Sequence, residues 1–290
     1  MEERQRTVAL IGPGRAGTTI GLGLLEQDWT VVGVAGRAPD APSTVTAAAV
    51  LATSTALVSD VARGAALVIV ATPDRAIEQV LLAAEPSIEP GALVVHLAGS
   101  RGLEVFADLL ARRTGVRVGA LHPLQTFPST TTGVDRLAGA WAAVAGDPDV
   151  AEIARTLRLH PFELADSDRG RYHAAAVVAS NHLVALLGQV ERLAATCDVP
   201  FDAFAPLVLG SVQSAFALGP AAALTGPVAR GDLSTVEQHL RDLDPAERDA
   251  YRALAREAAR LTGRRDTGLD RLLGDLRQPP GPSGSEDRGD

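Results

Sequence analysis

The chain has 290 residues, 46% of them hydrophobic, and a formal net charge of −8. That length supports one large or two modest cores, and the acidic balance excludes a nucleic-acid binder held by phosphate contacts. Cys197 is the single cysteine, which rules out an internal disulfide and a cysteine-built metal site.

Residues 7–11 form a short apolar strand and about 15–27 a helix. Between them stands Gly12-Pro13-Gly14-Arg15-Ala16-Gly17, a Gly-x-Gly-x-x-Gly turn. In a strand–turn–helix context this motif binds a dinucleotide. Gly12 permits the turn, Gly14 leaves room for a pyrophosphate at the backbone, and Gly17 lets the helix lie close to the strand. The helix N-terminus offers its free N–H groups to the phosphates. Residues 30–35 read as a second buried strand, ending at Gly36-Arg37 before a Pro-rich loop and a helix at about 43–52.

Residues 67–71 are the most strand-like stretch, followed by Thr72-Pro73-Asp74 and a helix over about 74–84. Strands at 92–97 and 116–121 follow, separated by a helix at about 102–112. Two short strands near 140–145 and 161–165 flank a helix near 149–158. Fully apolar strands alternating with helices imply a doubly wound, mostly parallel α/β Rossmann sheet covered on both faces.

From about residue 166 the pattern is helical only. Arg171 to Thr196 reads as one long helix, apolar nearly all round and so expected to be buried, in a dimer or between domains. Helices follow at about 201–217, 219–229, 234–243 and 245–262. Ser234-x-x-Glu237 reads as a capping box, and Asp244-Pro245-x-Glu247 as an N-cap with proline at the first helical position. The expected organisation is a dinucleotide-binding domain over 1–165, an all-helical substrate and dimerisation domain over 166–275, and a disordered tail over 276–290.

No uninterrupted apolar run approaches the ~18 residues of a membrane span. The first six residues lead straight into a strand rather than a signal peptide, so a cytoplasmic protein with no membrane partner is expected. All 27 basic residues are arginine. Without lysine, proton donation and phosphate binding fall to histidine, arginine, serine or asparagine.

The end of the second strand selects the dinucleotide. An NAD site presents an acid there for the ribose 2′-OH. This chain has Gly36-Arg37, whose guanidinium suits a 2′-phosphate, so NADP is expected. Arg15 lies in position to touch phosphate as well. Ligands sit beyond the carboxyl ends of the strands, which makes Thr72, Pro73 and Ser100 cofactor candidates. His96 is either core or site. His122, held extended by Pro123, is a candidate proton donor to a carbonyl oxygen. The loop from Thr126 to Thr132 offers hydroxyls.

On the long helix His173 and Ser180 are seven residues apart, close to two turns, so they share a face. Asn181 lies one step round and is a candidate to orient the carbonyl. His182 reads as packing or surface. Thr225 and Arg230, between two glycine turns, are either helix stops and caps or a carboxylate contact.

These motifs occur together: the glycine turn, Thr72-Pro73-Asp74, His122-Pro123-Leu124-Gln125-Thr126-Phe127, Tyr172-His173-Ala174-Ala175-Ala176 with Ser180-Asn181, and Thr225-Gly226-Pro227-x-x-Arg230-Gly231-Asp232. Over about residues 6–265 they resemble a bacterial two-domain family with a Rossmann-like N-terminal half and a C-terminal helical domain of unknown function. Its members are provisionally labelled NADP-dependent oxidoreductases. That family looks like a relative of the 6-phosphogluconate dehydrogenase, ketopantoate reductase and pyrroline-5-carboxylate reductase group. The resemblance implies an NADPH-dependent reductase of a small carboxylate-bearing substrate, with ketopantoate as the leading specific compound. It also implies a homodimer formed through the helical domain and a substrate role for Arg230. Ketopantoate reductases use a helix lysine followed by an asparagine. Asn181 matches the asparagine, but the lysine is absent, so His122 or His173 has to donate the proton. A non-catalytic NADP-binding sensor or assembly protein is the alternative.

Overall fold

The computed structural model describes residues 6–129, 133–263 and 267–274. It divides at Leu183/Val184 into two compact units. The first is built on a seven-stranded sheet in the order β2-β1-β3-β4-β5-β6-β7. The strands are β1 (Thr7–Ile11), β2 (Thr30–Ala35), β3 (Leu67–Val70), β4 (Leu93–His96), β5 (Arg117–Pro123), β6 (Trp141–Gly146) and β7 (His160–Glu163). The first five run parallel, β6 runs antiparallel to β5, and β7 is parallel to β6.

Helices α1 (Arg15–Leu25), α2 (Pro42–Val50), α3 (Ile77–Ala84), α4 (Ala107–Arg112) and α5 (Asp149–Thr156) cover the sheet. Successive residues of a strand point to opposite faces. Leu10, Ile69 and Val95 therefore enter one core, and Ile11, Val70 and Val94 the other. The strand order reverses between β2-β1 and β1-β3, so the carboxyl ends of β1 and β3 flank an open crevice, the usual ligand position in such sheets.

α6 (Arg169–Val177) and α7 (Leu183–Ala195) belong to one helical run, Asp166–Ala195, joined through a wide π turn at Val178–His182. The predicted long helix is thus present, and within the single chain Arg169, Gln189 and Ala194 are its buried residues. Its first part packs with the sheet unit, ahead of the break at Leu183/Val184.

The second unit continues with α8 (Ala205–Leu218), α9 (Pro220–Ala223), α10 (Pro227–Arg230), α11 (Leu233–Asp242), α12 (Pro245–Leu261) and α13 (Thr267–Leu273). Its core is small: Val228, Val236, Leu240, Ala255, Leu269 and Leu273.

Several expectations change here. The single helix over 219–229 is two short ones. Leu224 is extended, Gly226 takes φ 104° and Pro227 restarts the chain as a first-turn proline. The cap of α11 is Asp232, which accepts from the Thr235 N–H, and not Ser234, whose hydroxyl donates to Asp232. Asp244 caps α12 as expected. α13 has no counterpart in the sequence reading. Two helical runs, Asp166–Ala195 and Phe201–Leu218, are long and apolar enough to cross a membrane by length and composition, although polar residues break each apolar stretch. The predicted tail over 276–290 and Thr130 to Thr132 of the threonine loop lie outside the described residues.

Candidate active site

The crevice at β1 and β3 is a cavity of about 1050 Å³. Gly12, Pro13, Gly14, Arg15 and Ala16 line it, with Arg37, Thr72, Pro73 and Arg75. Each glycine of the turn has a separate reason. Gly12 takes φ +100°, and a Cβ there would lie 2.6 Å from the Ala71 carbonyl. A Cβ at Gly17 would meet the Gly12 carbonyl oxygen at 2.4 Å, so α1 sits hard against the turn. At Gly14 nothing lies within 4 Å, which leaves the backbone open to a ligand. A cradle that glycines keep free, at the N-terminus of α1, fits the pyrophosphate of a dinucleotide. Arg15, Arg37 and Arg75 are exposed at its rim, and among the described residues none of them makes an ion pair. Arg75 was missed by the sequence reading because it lies five residues past the end of β3, in a 3-10 turn.

Thr72 does not cap the following turn. Its buried hydroxyl has no hydrogen-bond partner among the described residues. The Ser100 hydroxyl is used on the Asp74 carboxylate, which ties the β3 and β4 loops together.

A second cluster lies at the carboxyl ends of β4 and β5. Register places His122 opposite Ala143, and Ala143 opposite Phe162. Directly opposed residues share a face of the sheet, so His122 and Phe162 look the same way across a small alanine. α6 crosses that face with Tyr172 and His173. The Tyr172 hydroxyl is 2.7 Å from His122 Nδ1. The His122 ring lies edge-on to both Tyr172 and His173, with centroids 5.5 and 5.9 Å away. His122 Nε2 and His173 Nδ1 converge: a methyl placed on Gly99 would lie 2.7 Å from each. His173 Nδ1 is buried and has no hydrogen-bond partner among the described residues.

His122 was expected beyond the end of its strand. It is inside β5, which runs on to Pro123, and is half-buried as a result. Burial, with the neighbouring His173 and Arg169, pulls its pKa down to about 4. Burial pushes Tyr172 up to about 12. At neutral pH both are uncharged. The direction of the Tyr172–His122 hydrogen bond follows the tautomer of the ring: where the phenol donates to Nδ1, the proton sits on Nε2, the nitrogen that faces Gly99. In either tautomer the imidazole is neutral, not the cationic acid a surface histidine would supply.

Beneath the pair is a support missed in the sequence. Arg169 is 1% exposed, and its Nε donates to Asp166 Oδ1 at 3.1 Å, while among the described residues neither terminal nitrogen has a partner. Asp166 Oδ2 accepts from the Leu103 N–H. A Cβ on Gly102 would strike this carboxylate at 2.3 to 2.6 Å. The Gly102 carbonyl in turn bonds His96 Nε2, and His96 Nδ1 accepts from the Ala98 N–H. His96 is thus fully buried, its pKa drawn down to about 4 by burial and by Arg169, and it braces the loop that carries Gly99. The signal was present: Arg169, Tyr172 and His173 follow i, i+3, i+4, one face of a helix.

The remaining candidates have other partners or are exposed. Ser180 donates to the Ala176 carbonyl and to Asn181 Oδ1. Both lie in the π turn at Val178–His182. Asn181 and His182 are exposed. The Thr126 hydroxyl and carbonyl accept from Arg136. Thr225 and Arg230 are exposed in the second unit, where Gly231 ends α10 in a left-handed cap. Cys197 is exposed, at the far end of the helical run.

Comparison with known proteins places the chain. Residues 1–123 match the Rossmann-like domain, and residues 142–258 match a domain of unknown function, DUF2520. No curated protein sequence matches it. Among solved structures, a protein of Bacteroides fragilis provisionally named as an NADP oxidoreductase is 26% identical. It superposes with a TM-score of 0.75, covering 88% of this chain and 98% of its own. A Thermotoga maritima protein is 22% identical with a TM-score of 0.66, over 88% of this chain and 98% of its own. The imine reductase of Myxococcus stipitatus, solved with NADP+, shares the fold at 17% identity and a TM-score of 0.62, over 92% of this chain and all of its own. The chain is therefore similar to a Rossmann-like domain over its N-terminal part and to a DUF2520 domain after it.

Proposed function

We propose that the protein is an NADPH-dependent reductase of the C=O or C=N group of a small carboxylate-bearing substrate. The observation that carries this is the convergence of His122 Nε2 and His173 Nδ1 above Gly99, at the strand ends beside the glycine cradle. The NADP oxidoreductase name of the Bacteroides fragilis relative and the bound NADP+ of the imine reductase agree with it.

NADPH held in the cradle supplies the hydride. The residues here supply position and a proton. Arg37 pairs with the 2′-phosphate, and the α1 N-terminus takes the pyrophosphate. As the substrate oxygen or nitrogen becomes basic, His122 Nε2–H bonds it and passes the proton on, while Nδ1 takes the Tyr172 proton. Tyr172 is half-buried and recovers its proton from solvent. His173 Nδ1 gains its missing partner from the substrate. Asn181 and Arg230 remain proposals as substrate contacts, as does ketopantoate as the specific compound.

The assay is NADPH oxidation over a panel of 2-oxo acids, ketopantoate included, and cyclic imines. Turnover of at least one compound is expected. Tight NADPH binding with no turnover of any would favour a non-catalytic NADP-binding protein instead.

We also propose a homodimer through the helical unit. No residue of α8 is buried, and Phe216 is 90% exposed, with Leu207 and Leu218 close to two-thirds exposed. An apolar helix of this length does not hold its shape uncovered in water. Ser211, Gln213 and Ser214 along it suit another protein copy better than lipid. Light scattering on detergent-free protein is expected to give twice the chain mass. Recovery only in the membrane pellet would overturn this and the cytoplasmic location together.

A further inference from the structure

His122 is the end of a run of rings. Tyr172 lies edge-on to it, Phe162 lies 5.9 Å from Tyr172, Trp141 lies 6.2 Å from Phe162, and His160 lies 5.3 Å from Trp141. Strand register explains the run. Trp141 pairs with His160 and Ala143 with Phe162, so all of these residues stand on the face of the sheet that carries His122. Trp141 opens β6 beside Pro123 and Leu124, at the edge where the parallel strands end. Yet Trp141 is 55% exposed. The open face of this indole is continuous with the row of rings that leads to His122, so an apolar group held at His122 can reach it.

The strand order says which group. Along the carboxyl edge of the sheet the glycine cradle lies at β1 and β3, the Gly99 loop follows β4, and His122 lies in β5. A dinucleotide entering at β1 runs toward β4. The next places in line, β6 and β7, are where the part of the substrate beyond its reacting atom comes to rest. The side chains there are Trp141 and Phe162, with Tyr172 packed against Phe162. Together they make a continuous aromatic surface that runs from His122 to the exposed face of Trp141, on which a flat apolar group can stack.

We propose that Trp141, Phe162 and Tyr172 form the substrate's apolar subsite, which takes a planar aromatic or similarly bulky apolar group attached to the reducible C=O or C=N. This rests on the reductase reading and narrows it: substrates with a phenyl-sized group are preferred to those with a methyl.

Two measurements on the whole wild-type protein separate the two ideas. The first compares kcat/KM with NADPH for phenylpyruvate against pyruvate, and for 2-phenyl-1-pyrroline against 2-methyl-1-pyrroline. The phenyl member is expected to lead by at least about tenfold in a pair that turns over. Trp141→Ala narrows that ratio, chiefly through KM. The second measurement titrates phenylacetate, which is not reducible, and follows tryptophan fluorescence. The chain has two tryptophans, and Trp29 is buried at 8% exposure. The quench is expected in the wild type and absent in Trp141→Phe, which keeps an aromatic ring and so spares the fold. Turnover with no phenyl preference, or a preference with Trp141 silent, overturns the subsite and leaves the reductase standing. Quenching at Trp141 with no turnover of any compound supports the subsite and overturns the reductase.

Discussion

Tyr172 and His122 act through one hydrogen bond, and each has a distinct way to fail. Tyr172→Phe leaves the ring packing on Phe162 but removes the donor that holds the His122 proton on Nε2. We expect kcat to fall about tenfold or more with the NADPH Kd unchanged. A kcat within twofold of wild type would show that the phenol does not set the tautomer. His122→Asn removes the donor itself, and a loss of about a hundredfold or more is expected. Arg37 belongs to the other end of the cleft. Arg37→Ala should weaken NADPH by about tenfold to a hundredfold, the worth of a charge-assisted contact, and leave NADH unchanged. Equal weakening of both cofactors would place the arginine away from the 2′-phosphate. The sequence already offers Arg37 for this role, because a strand end with a missing acid and a present base is a local pattern. Tyr172 was visible only as part of a family motif. Its role depends on a residue fifty positions earlier, and no periodicity links the two.

At the scale of elements, the glycines and the buried arginine say how closely the pieces approach. Gly99→Ala puts a methyl 2.7 Å from both imidazole nitrogens. Gly99 has no positive φ, so the backbone tolerates alanine and the clash falls on the histidines. The expected outcome is a folded protein that binds NADPH normally and loses at least about tenfold in kcat. Unchanged kcat would mean that the rings have room to withdraw. Arg169 and Asp166 pin α6 to the Gly102 loop, and the arginine is buried with one carboxylate for company. Removing Asp166 strands that cation, whereas removing both charges does not. Denaturant unfolding should therefore find Asp166→Ala less stable than the double variant Asp166→Ala/Arg169→Met. The strands and their order of appearance were legible because each is a short apolar run closed by a turn. The antiparallel placement of β6 was not, since pairing direction leaves no mark on the composition of a six-residue strand. The π turn at Val178–His182 was hidden for a related reason: an α-helical wheel assumes the very period that the turn breaks.

For the whole molecule, the two neutral histidines couple stability to pH. His96 and His122 have pKa values near 4 in the folded chain, against an ordinary value of 6.5. Burial is the first cause in both cases. Between those limits the unfolded chain binds protons that the folded chain refuses, so stability rises with pH across the window. Above about pH 6.5 both states are neutral at these residues and the contribution is complete. It is lost as pH falls toward 4, at up to about 1.4 kcal/mol per pH unit for each histidine. Urea unfolding at pH 7 and pH 5 should show the loss, and in His122→Asn the difference between the two pH values should shrink. An unchanged difference would assign the acid sensitivity to other groups. Catalysis follows a different profile. Because His122 does not titrate near 6.5, kcat should stay level from pH 8 down to about 5.5, ahead of any acid unfolding. A shoulder in kcat at about 6.5 that His122→Asn removes would mean that the residue works as a cation, and the neutral donor assigned to it here would be wrong.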